Sequence, residues 1–191
     1  MRASRLFACV LVMAPGVAAA EGTRFTAGVD LGLTQSSKDA DNGSDASHTL
    51  GLYGRVQLSS RLSGQLELGK IDTDDDTLAI RQISALVVVD LANGGHWMPI
   101  LLAGIGYDHA ETDYGATTDA HHIEGGFGLE YRADGGFVAG IDLRLGGRTI
   151  DSDTTAVPLS GAGGGRALFV PVTNLTDGEY RSARLYAGVH F

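Results

Sequence analysis

Apolar and polar side chains alternate along most of the chain beyond residue 24. A period of two is that of a β-strand, because successive side chains of a strand point to opposite faces. Residues that favour turns interrupt the alternation at nearly regular intervals, and no stretch follows the helical period. The pattern predicts eight strands, at about residues 24–35, 48–58, 63–72, 77–91, 97–109, 121–132, 137–150 and 181–191.

The last of these stretches shows the alternation most clearly. Its polar face includes Arg184 and His190, and the stretch ends on an aromatic residue. An apolar face opposite a charged one suits the closing strand of a membrane barrel, whose outer side contacts lipid while its inner side faces the lumen. The apolar face consists of Ala183, Leu185, Ala187, Val189 and Phe191.

Strands four and five are harder to orient, because both of their faces carry apolar residues. Leu86 and Val88 alternate with the outer set on strand four, and Leu102 does the same on strand five. A bulge near Arg81 or Gln82 would also shift the register of strand four. The register of these two strands therefore stays open.

Short and long connections alternate along the chain. Short turns are predicted at 59–62, 92–96 and 133–136. The other four predicted connections are mostly longer and more polar, at 36–47, 73–76, 110–120 and 151–178. This alternation around an even number of antiparallel strands is typical of an outer-membrane barrel, with short turns in the periplasm and long loops outside. Both chain termini are then expected in the periplasm.

Residues 1–20 are expected to be a cleaved secretory signal. Arg2 and Arg5 precede an apolar run, and Ala18 to Ala20 offer a small-residue cleavage site. The run is shorter than the roughly 20 residues that a membrane-spanning helix needs. Cleavage before Glu21 removes the only cysteine, Cys9, so the mature domain 21–191 is expected to form no disulfide.

The chain is strongly acidic. It carries 14 lysines and arginines against 23 aspartates and glutamates, a net charge of −9. Two of the arginines lie in the predicted signal, so the mature chain has 12 against 23 and a net charge of −11. This charge argues against nucleic acid as a partner. Many acidic residues fall in the long connections, where they either aid solubility or let divalent cations bridge them to lipopolysaccharide phosphates.

The polar face of the predicted strands carries charges of both signs in nearly equal number. An eight-stranded barrel has room inside for side chains and little more, and a lone charge there is costly to desolvate. These charges are therefore expected to pair across the lumen, with a narrow gated pore as the alternative. The predicted network consists of Asp30, Arg55, Glu67, Glu124, Glu130, Arg132, Asp142, Arg144 and Arg184, with Arg148, Tyr53, Tyr186 and His190 beside them.

These features together resemble the small bacterial outer-membrane barrels of the OmpA transmembrane-domain and OmpX/Ail type. The resemblance covers the whole mature chain, with a sequence motif only at the last strand and Phe191. It implies an all-β, eight-stranded antiparallel up-and-down transmembrane barrel that is monomeric and non-catalytic. It also implies a structural or surface-binding role, with an extracellular ligand at the loops, outer-membrane lipids and lipopolysaccharide around the barrel, and recognition of the last strand by the barrel-assembly machinery.

A soluble, lipocalin-like barrel would show the same alternation with its apolar face turned inward. The terminal Phe191, the charge-rich polar face, and Trp97, Tyr107 and Tyr131 at interfacial heights favour the membrane barrel.

Two kinds of chemistry are alternatives to a purely structural barrel. A lipid A-modifying enzyme would need a serine activated by histidine, but Ser182 and His190 are predicted at opposite ends of the last strand. A metal site could form from histidines and carboxylates of the hairpin between strands five and six, but their spacing matches no defined metal-binding motif. We expect no catalytic residue, cofactor or metal site. The hairpin residues concerned are His109, Glu111, Asp113, Asp119, His121 and His122.

Overall fold

A computed structural model describes residues 24–36, 47–72, 78–92, 94–112, 117–150 and 178–191. The predicted signal and residues 37–46, 73–77, 113–116 and 151–177, which make up most of the predicted long connections, lie outside the described residues. No helix in the described part of the chain is long and apolar enough to cross a membrane. The strands are β1 (Phe25–Ser36), β2 (Ser47–Gln57), β3 (Leu62–Asp72), β4 (Leu78–Asp90), β5 (Trp97–Thr112), β6 (Thr117–Arg132), β7 (Phe137–Ile150) and β8 (Gly178–His190).

The eight strands form one closed antiparallel sheet. Each strand pairs with the next one along the chain, and β8 pairs back with β1. Closure leaves no unpaired edge among the eight described strands, and an unpaired edge is the usual hazard of an open sheet. The predicted eight-stranded up-and-down barrel is confirmed.

The seam between β1 and β8 is closed by the two ends of the described chain. The Phe191 amide donates a hydrogen bond of 2.8 Å to the Phe25 carbonyl, and the Phe25 amide returns one of 3.3 Å. The two aromatic rings stack with their centroids 6.5 Å apart. This defines the terminal end of the barrel, and the opposite end is called the far end below.

The open question about β4 and β5 is resolved by an uninterrupted register. β4 pairs with β3 and with β5 without a bulge. Leu86, Val88 and Leu102 point into the lumen, where they pack with inward-facing Ile100 and with Tyr186. Part of the lumen wall is therefore apolar, which is why both faces of these strands look apolar in the sequence.

The hairpin between β5 and β6 is longer than predicted. The predicted loop 110–120 is wrong in extent, because β5 continues to Thr112 and β6 begins at Thr117. Ala110 and Ala120 face inward and are fully buried. Ala110 packs with Ile71 and Ile80 at the far end of the lumen. Ala110 and Ala120 are small, so the alternation of inward and outward residues is hard to see in the sequence. The polar residues that face outward in this hairpin therefore suggested a loop.

The outside of the barrel is a continuous apolar belt. Its side chains include Leu145, Ile123 and Ile105, which are 67%, 66% and 65% exposed. A soluble protein rarely leaves so large an apolar surface uncovered. At the terminal end the belt carries aromatic residues, with Trp97 and Tyr131 ring centroids 5.1 Å apart. A belt with an aromatic border is the outer surface expected of a membrane barrel.

Inward-facing glycines make room for large side chains from neighbouring strands. A Cβ atom on Gly106 would overlap the imidazole ring of His122, and one on Gly140 would overlap the ring of Tyr186. Gly146 accommodates Tyr180 in the same way. In this narrow lumen a glycine on one strand leaves the space that a bulky side chain on the neighbouring strand fills.

Gly106→Ala is expected to destabilise the barrel by about 1–3 kcal/mol, because the displaced His122 leaves buried polar groups without their partners. Gly147→Ala is the matched control, since a Cβ atom there meets nothing within 4 Å. Urea unfolding of both variants in lipid vesicles, followed by tryptophan fluorescence, gives the comparison. Equal stabilities would show that Gly106 is not needed to seat His122.

Candidate functional site in the barrel lumen

The terminal end of the lumen holds a compact group of two arginines and two carboxylates. Arg132 donates a pair of hydrogen bonds to the Asp90 carboxylate, with N···O distances of 2.8 and 2.9 Å. Its Nε donates to Glu130 Oε1 at 2.6 Å. Glu130 Oε2 accepts a hydrogen bond from Arg55 Nη1 at 2.6 Å and another from the Tyr186 hydroxyl at 3.0 Å. Paired geometry of this kind offsets the desolvation of buried charges.

The middle of the lumen is organised around Arg144, which contacts three carboxylates. Its Nη1 and Nη2 donate to the two oxygens of Glu67, both at 2.8 Å. Its Nε donates to Asp142 Oδ1 at 2.7 Å, and Nη1 lies 3.3 Å from Glu124 Oε1. Glu67 accepts a further hydrogen bond of 2.6 Å from Arg184 Nη1. These contacts cross the lumen, since Glu67 lies on β3, Arg144 on β7 and Arg184 on β8.

Neutral amides link these ion pairs. Arg55 Nε donates to Gln65 Oε1 at 2.6 Å, and Gln65 Nε2 donates to Glu67 Oε1 at 2.6 Å. The terminal and middle groups are therefore one network. Arg184 extends it to Gln82 Oε1 at 3.0 Å and lies 3.7 Å from Asp30 Oδ1.

Toward the far end, a histidine lies between a serine and an aspartate. His122 Nε2 and Ser84 Oγ are hydrogen-bonded at 3.0 Å, and His122 Nδ1 lies 3.3 Å from Asp108 Oδ1. Arg148 Nε lies 2.7 Å from Asp108 Oδ2, and the guanidinium carbon is 5.2 Å from the centroid of the Tyr180 ring. The Asp108 side chain is fully buried. This group lies in the lumen between the Arg144 contacts and the apolar residues of the far end.

The structure places all nine charged residues of the predicted network on the inward face and gives each at least one partner of opposite charge. Strand parity also places Asp90 and Asp108 inward, two carboxylates that the predicted network does not include. The uncharged polar residues Ser84, Gln65 and Gln82 face inward as well. With these residues included, the described lumen has seven carboxylates against five guanidinium groups. The inward carboxylates are Asp30, Glu67, Asp90, Asp108, Glu124, Glu130 and Asp142, and the arginines are Arg55, Arg132, Arg144, Arg148 and Arg184.

Little space is left between these groups. At the terminal mouth, a cavity of about 20 Å³ lies between Arg55, Asp90, Glu130 and Arg132. Such a volume admits about one water molecule. The side chains therefore fill the lumen at this end.

The candidates for other chemistry lie apart from one another. Ser182 pairs with Arg144 across the strands, whereas His190 pairs with Thr26 near the terminal end. His190 Nδ1 is 2.9 Å from the Thr26 hydroxyl. Ser182 and His190 thus lie at different heights along the barrel, as expected from their positions in the last strand.

The residues of the hypothetical metal site also diverge. His122 points inward while His121 is exposed on the outer face. His109 Nδ1 lies 2.6 Å from Asp119 Oδ1, and Asp113 lies outside the described residues. Among the residues that the structure describes, no three His, Cys, Asp or Glu side chains come together in a way that could hold a metal ion.

The residues of the suggested assembly signal share the outward face of β8. Leu185, Val189 and Phe191 are exposed there, and Ala183 and Ala187 are partly exposed between them. All five lie at the seam with β1, where the barrel closes. Recognition of this face by the assembly machinery stays a prediction.

Arg144→Gln is expected to destabilise the barrel by about 3–5 kcal/mol, because Glu67, Asp142 and Glu124 lose the charge that offsets their burial. The double variant Glu67→Gln/Arg144→Gln is expected to cost less than the sum of the single changes, with a coupling of about 0.5–3 kcal/mol. Arg181→Gln is the control, since it makes the same substitution on the exposed outer face. Urea unfolding in lipid vesicles gives the stability of Arg144→Gln, of Glu67→Gln, of the double variant and of the control. Additive losses from the two single changes would contradict the network.

Comparison with known proteins agrees with this architecture. Neisserial surface protein A is 14% identical, with 88% of this chain and 96% of that chain covered and a TM-score of 0.57. The N-terminal β-barrel domain of OprF from Pseudomonas aeruginosa is 15% identical, with 87% and 97% covered and a TM-score of 0.55. OprG from the same species is 13% identical, with 89% and 96% covered and a TM-score of 0.50. At such identities the likeness shows the fold alone.

No curated protein matches the chain in sequence. A family match is found for the outer membrane protein beta-barrel domain, and it extends over residues 6–191. The match includes every strand of the barrel, the charged lumen and the apolar outer belt. The chain therefore belongs to the outer membrane protein beta-barrel domain family and lies in the cell outer membrane.

Proposed function

We propose that this protein is a non-catalytic, monomeric barrel with a closed lumen, which strengthens the outer membrane and presents acidic connections at the cell surface. The observation that carries the proposal is the network that joins Asp90 at the terminal end to Glu67 in the middle through Arg132, Glu130, Arg55 and Gln65. A chain of contacts that crosses the lumen and ties its walls together stabilises the barrel and blocks it at the same time.

A small gated porin is the first alternative, and the arrangement of the arginines disfavours it. Opening a path would require Arg55, Arg144 and Arg184 to leave carboxylates with which they make hydrogen bonds of 2.6 to 2.8 Å. Removing one partner of a buried pair costs about 3–5 kcal/mol, and several pairs would have to break together. At the far end, Ile71, Ile80 and Ala110 form a buried apolar cluster on the inner face of the wall.

A lipid A-modifying enzyme is the second alternative. Ser84, His122 and Asp108 do follow the order of hydroxyl, imidazole and carboxylate that activates a nucleophile. However, Ser84 and His122 are only 1% and 2% exposed and face the filled lumen. A lipid at the outer surface of the barrel cannot reach this hydroxyl, so a structural role for the three residues is favoured.

The surface-binding part of the proposal rests on the sequence. The predicted long connections carry many carboxylates and only Lys38 and Arg166 as cations, and most of these residues lie outside the described part of the chain. Such a surface suits a cationic extracellular partner, or divalent cations that link it to neighbouring lipopolysaccharide. The proposed binding role of these connections is therefore independent of whether the lumen conducts ions.

The wild-type barrel is expected to show no steady open state in planar-bilayer recordings, because ion pairs and apolar contacts fill its lumen. The triple variant Glu67→Ala/Arg144→Ala/Arg184→Ala removes the side chains that meet in the middle. Combined with Arg55→Ala and Arg132→Ala, which clear the terminal end, it is expected to conduct, with a preference for cations because carboxylates outnumber arginines in the lumen. Circular dichroism and heat-modifiable gel mobility would establish that the variant still forms a barrel.

A reproducible, ion-selective open state of the wild-type protein would contradict the closed-lumen proposal and favour the porin. Arg181→Ala serves as the control for protein handling, since it removes an arginine from the outer face and leaves the lumen unchanged.

A further inference from the structure

The excess of acidic charge in the lumen is not evenly distributed. At the terminal end two arginines, Arg55 and Arg132, match the two carboxylates of Asp90 and Glu130. Five of the seven lumen carboxylates therefore remain for the middle and the far part, where only three of the five arginines lie. Among the described residues of these parts, His122 is the only inward-facing side chain besides the arginines that can carry a positive charge.

Two carboxylates flank the imidazole of His122. On one side, His122 Nδ1 lies 3.3 Å from Asp108 Oδ1. On the other side, His122 Nε2 lies 4.0 Å from Glu124 Oε1 and is hydrogen-bonded to Ser84 Oγ at 3.0 Å. The side chains of the histidine and of both acids are fully buried, so solvent cannot take the place of a missing protein contact.

A neutral imidazole cannot satisfy the acceptors on both of its sides. It carries one N–H group, whereas a protonated imidazole carries two. Within the described part of the chain, His122 Nδ1 and both carboxylate oxygens of Asp108 make no hydrogen bond. Leaving such buried groups unsatisfied is costly. A second proton on the imidazole supplies the donor that Asp108 lacks.

The next two strands bring one cation and one phenol to this group. Arg148 of β7 is paired with His122 in the register, and its Nε lies 2.7 Å from Asp108 Oδ2. Tyr180 of β8 is edge-on to the imidazole, with ring centroids 6.0 Å apart. Its hydroxyl donates a hydrogen bond of 3.4 Å to Glu124 Oε2. Asp108 is therefore shared between an arginine and the histidine.

Glu124 connects this group with the middle of the lumen. Its Oε1 lies 3.3 Å from Arg144 Nη1, and the same nitrogen donates a hydrogen bond of 2.8 Å to Glu67 Oε2. Arg144 and Glu67 make the contacts that cross the lumen from β7 to β3. A change of charge at His122 therefore acts, through Glu124, on the contacts that fill the middle of the barrel.

We propose that His122 is a pH-sensitive switch, which bridges Asp108 and Glu124 and tightens the closed lumen when it binds a second proton, and releases both acids when it loses that proton. Imidazole is the side chain suited to this role, because its charge can change under physiological conditions. The inference rests on the closed lumen proposed above and adds its regulation. In the orientation expected for the barrel, the far end faces the cell exterior, so the switch responds to the acidity of the medium.

Nitrogen-15 NMR of the wild-type barrel in detergent observes the switch directly. As the medium is acidified from about pH 8.5 to about pH 5, His122 is expected to change from one protonated ring nitrogen to two. The Arg148 Nε–H signal is expected to shift with the same midpoint, because Arg148 and His122 share the carboxylate of Asp108. This experiment needs no substitution in the lumen, so it does not depend on the folding of a variant.

His122→Gln and His121→Gln form a matched pair of variants. They make the same substitution at neighbouring positions, one in the lumen and one on the outer face. Glutamine at position 122 still offers a donor and an acceptor to Ser84 and Asp108, but it cannot become charged. His122→Gln is expected to abolish the pH response of the Arg148 signal, and His121→Gln is expected to retain it.

Urea unfolding in lipid vesicles, at about pH 8 and about pH 5.5, measures what the switch does to the barrel. On acidification, the folding constant of the wild type is expected to rise about tenfold relative to that of His122→Gln, because the charged imidazole finds its two acids only in the folded barrel. The gain is present at the lower pH and is lost as the pH rises. The folding constant of His121→Gln is expected to follow that of the wild type within about twofold.

A single protonated ring nitrogen on His122 throughout the titration would overturn the proposal. An unchanged Arg148 signal, or the same pH response of stability in His122→Gln and wild type, would also overturn it. Planar-bilayer recordings at the same two pH values separate the switch from the closed lumen on which it rests. A steady open state at both would contradict the closed lumen and the switch with it, whereas a closed barrel with no change at His122 would contradict the switch alone.

Discussion

The width of the lumen governs the rest of this structure. Eight antiparallel strands enclose a space that side chains can fill and that leaves almost no room for water. A charge placed there must find its opposite within hydrogen-bonding distance, because an unpaired buried ion costs several kcal/mol. Arg144 meets this requirement in the middle of the lumen, where it contacts Glu67, Asp142 and Glu124. The same narrowness requires glycine wherever a ring from the next strand, such as Tyr186 over Gly140, crosses the wall.

The two faces of the sheet therefore have different roles. The inner face ties distant strands together, since the bond from Arg184 to Glu67 joins residues 117 positions apart in the chain. The outer face supplies an apolar surface to the membrane and ends in polar residues, among them Lys70 and Arg81, at the far boundary. Because alternate residues serve each face, a change on one face leaves the other largely untouched, and the two roles can be tested independently.

The period of two in the sequence was enough to predict the eight strands, the antiparallel barrel and the inward position of every network charge. It did not reveal which charges meet, because the partner of Glu67 depends on how β3 faces β7 and β8 across the closed barrel. Nor did it reveal the contact of Ser84 with His122, which depends on Gly106 lying between them in the register of β4, β5 and β6. The apolar inward residues Leu86 and Val88 made β4 ambiguous until its register was known, and small Ala110 and Ala120 hid the true length of the β5–β6 hairpin.

Hydrogen exchange at the arginine side chains measures whether interlocked ion pairs close the lumen to water. Arg144 Nε is bonded to Asp142 and Arg55 Nε to Gln65, whereas Arg181 is exposed on the outer face near the far boundary. Nitrogen-15 NMR of the folded barrel in detergent can follow the Nε–H groups after transfer to heavy water. If the lumen is closed, the Arg144 and Arg55 signals persist for orders of magnitude longer than that of Arg181. Loss of all three signals at the same rate would show that water moves freely through the lumen and that the ion pairs do not close it.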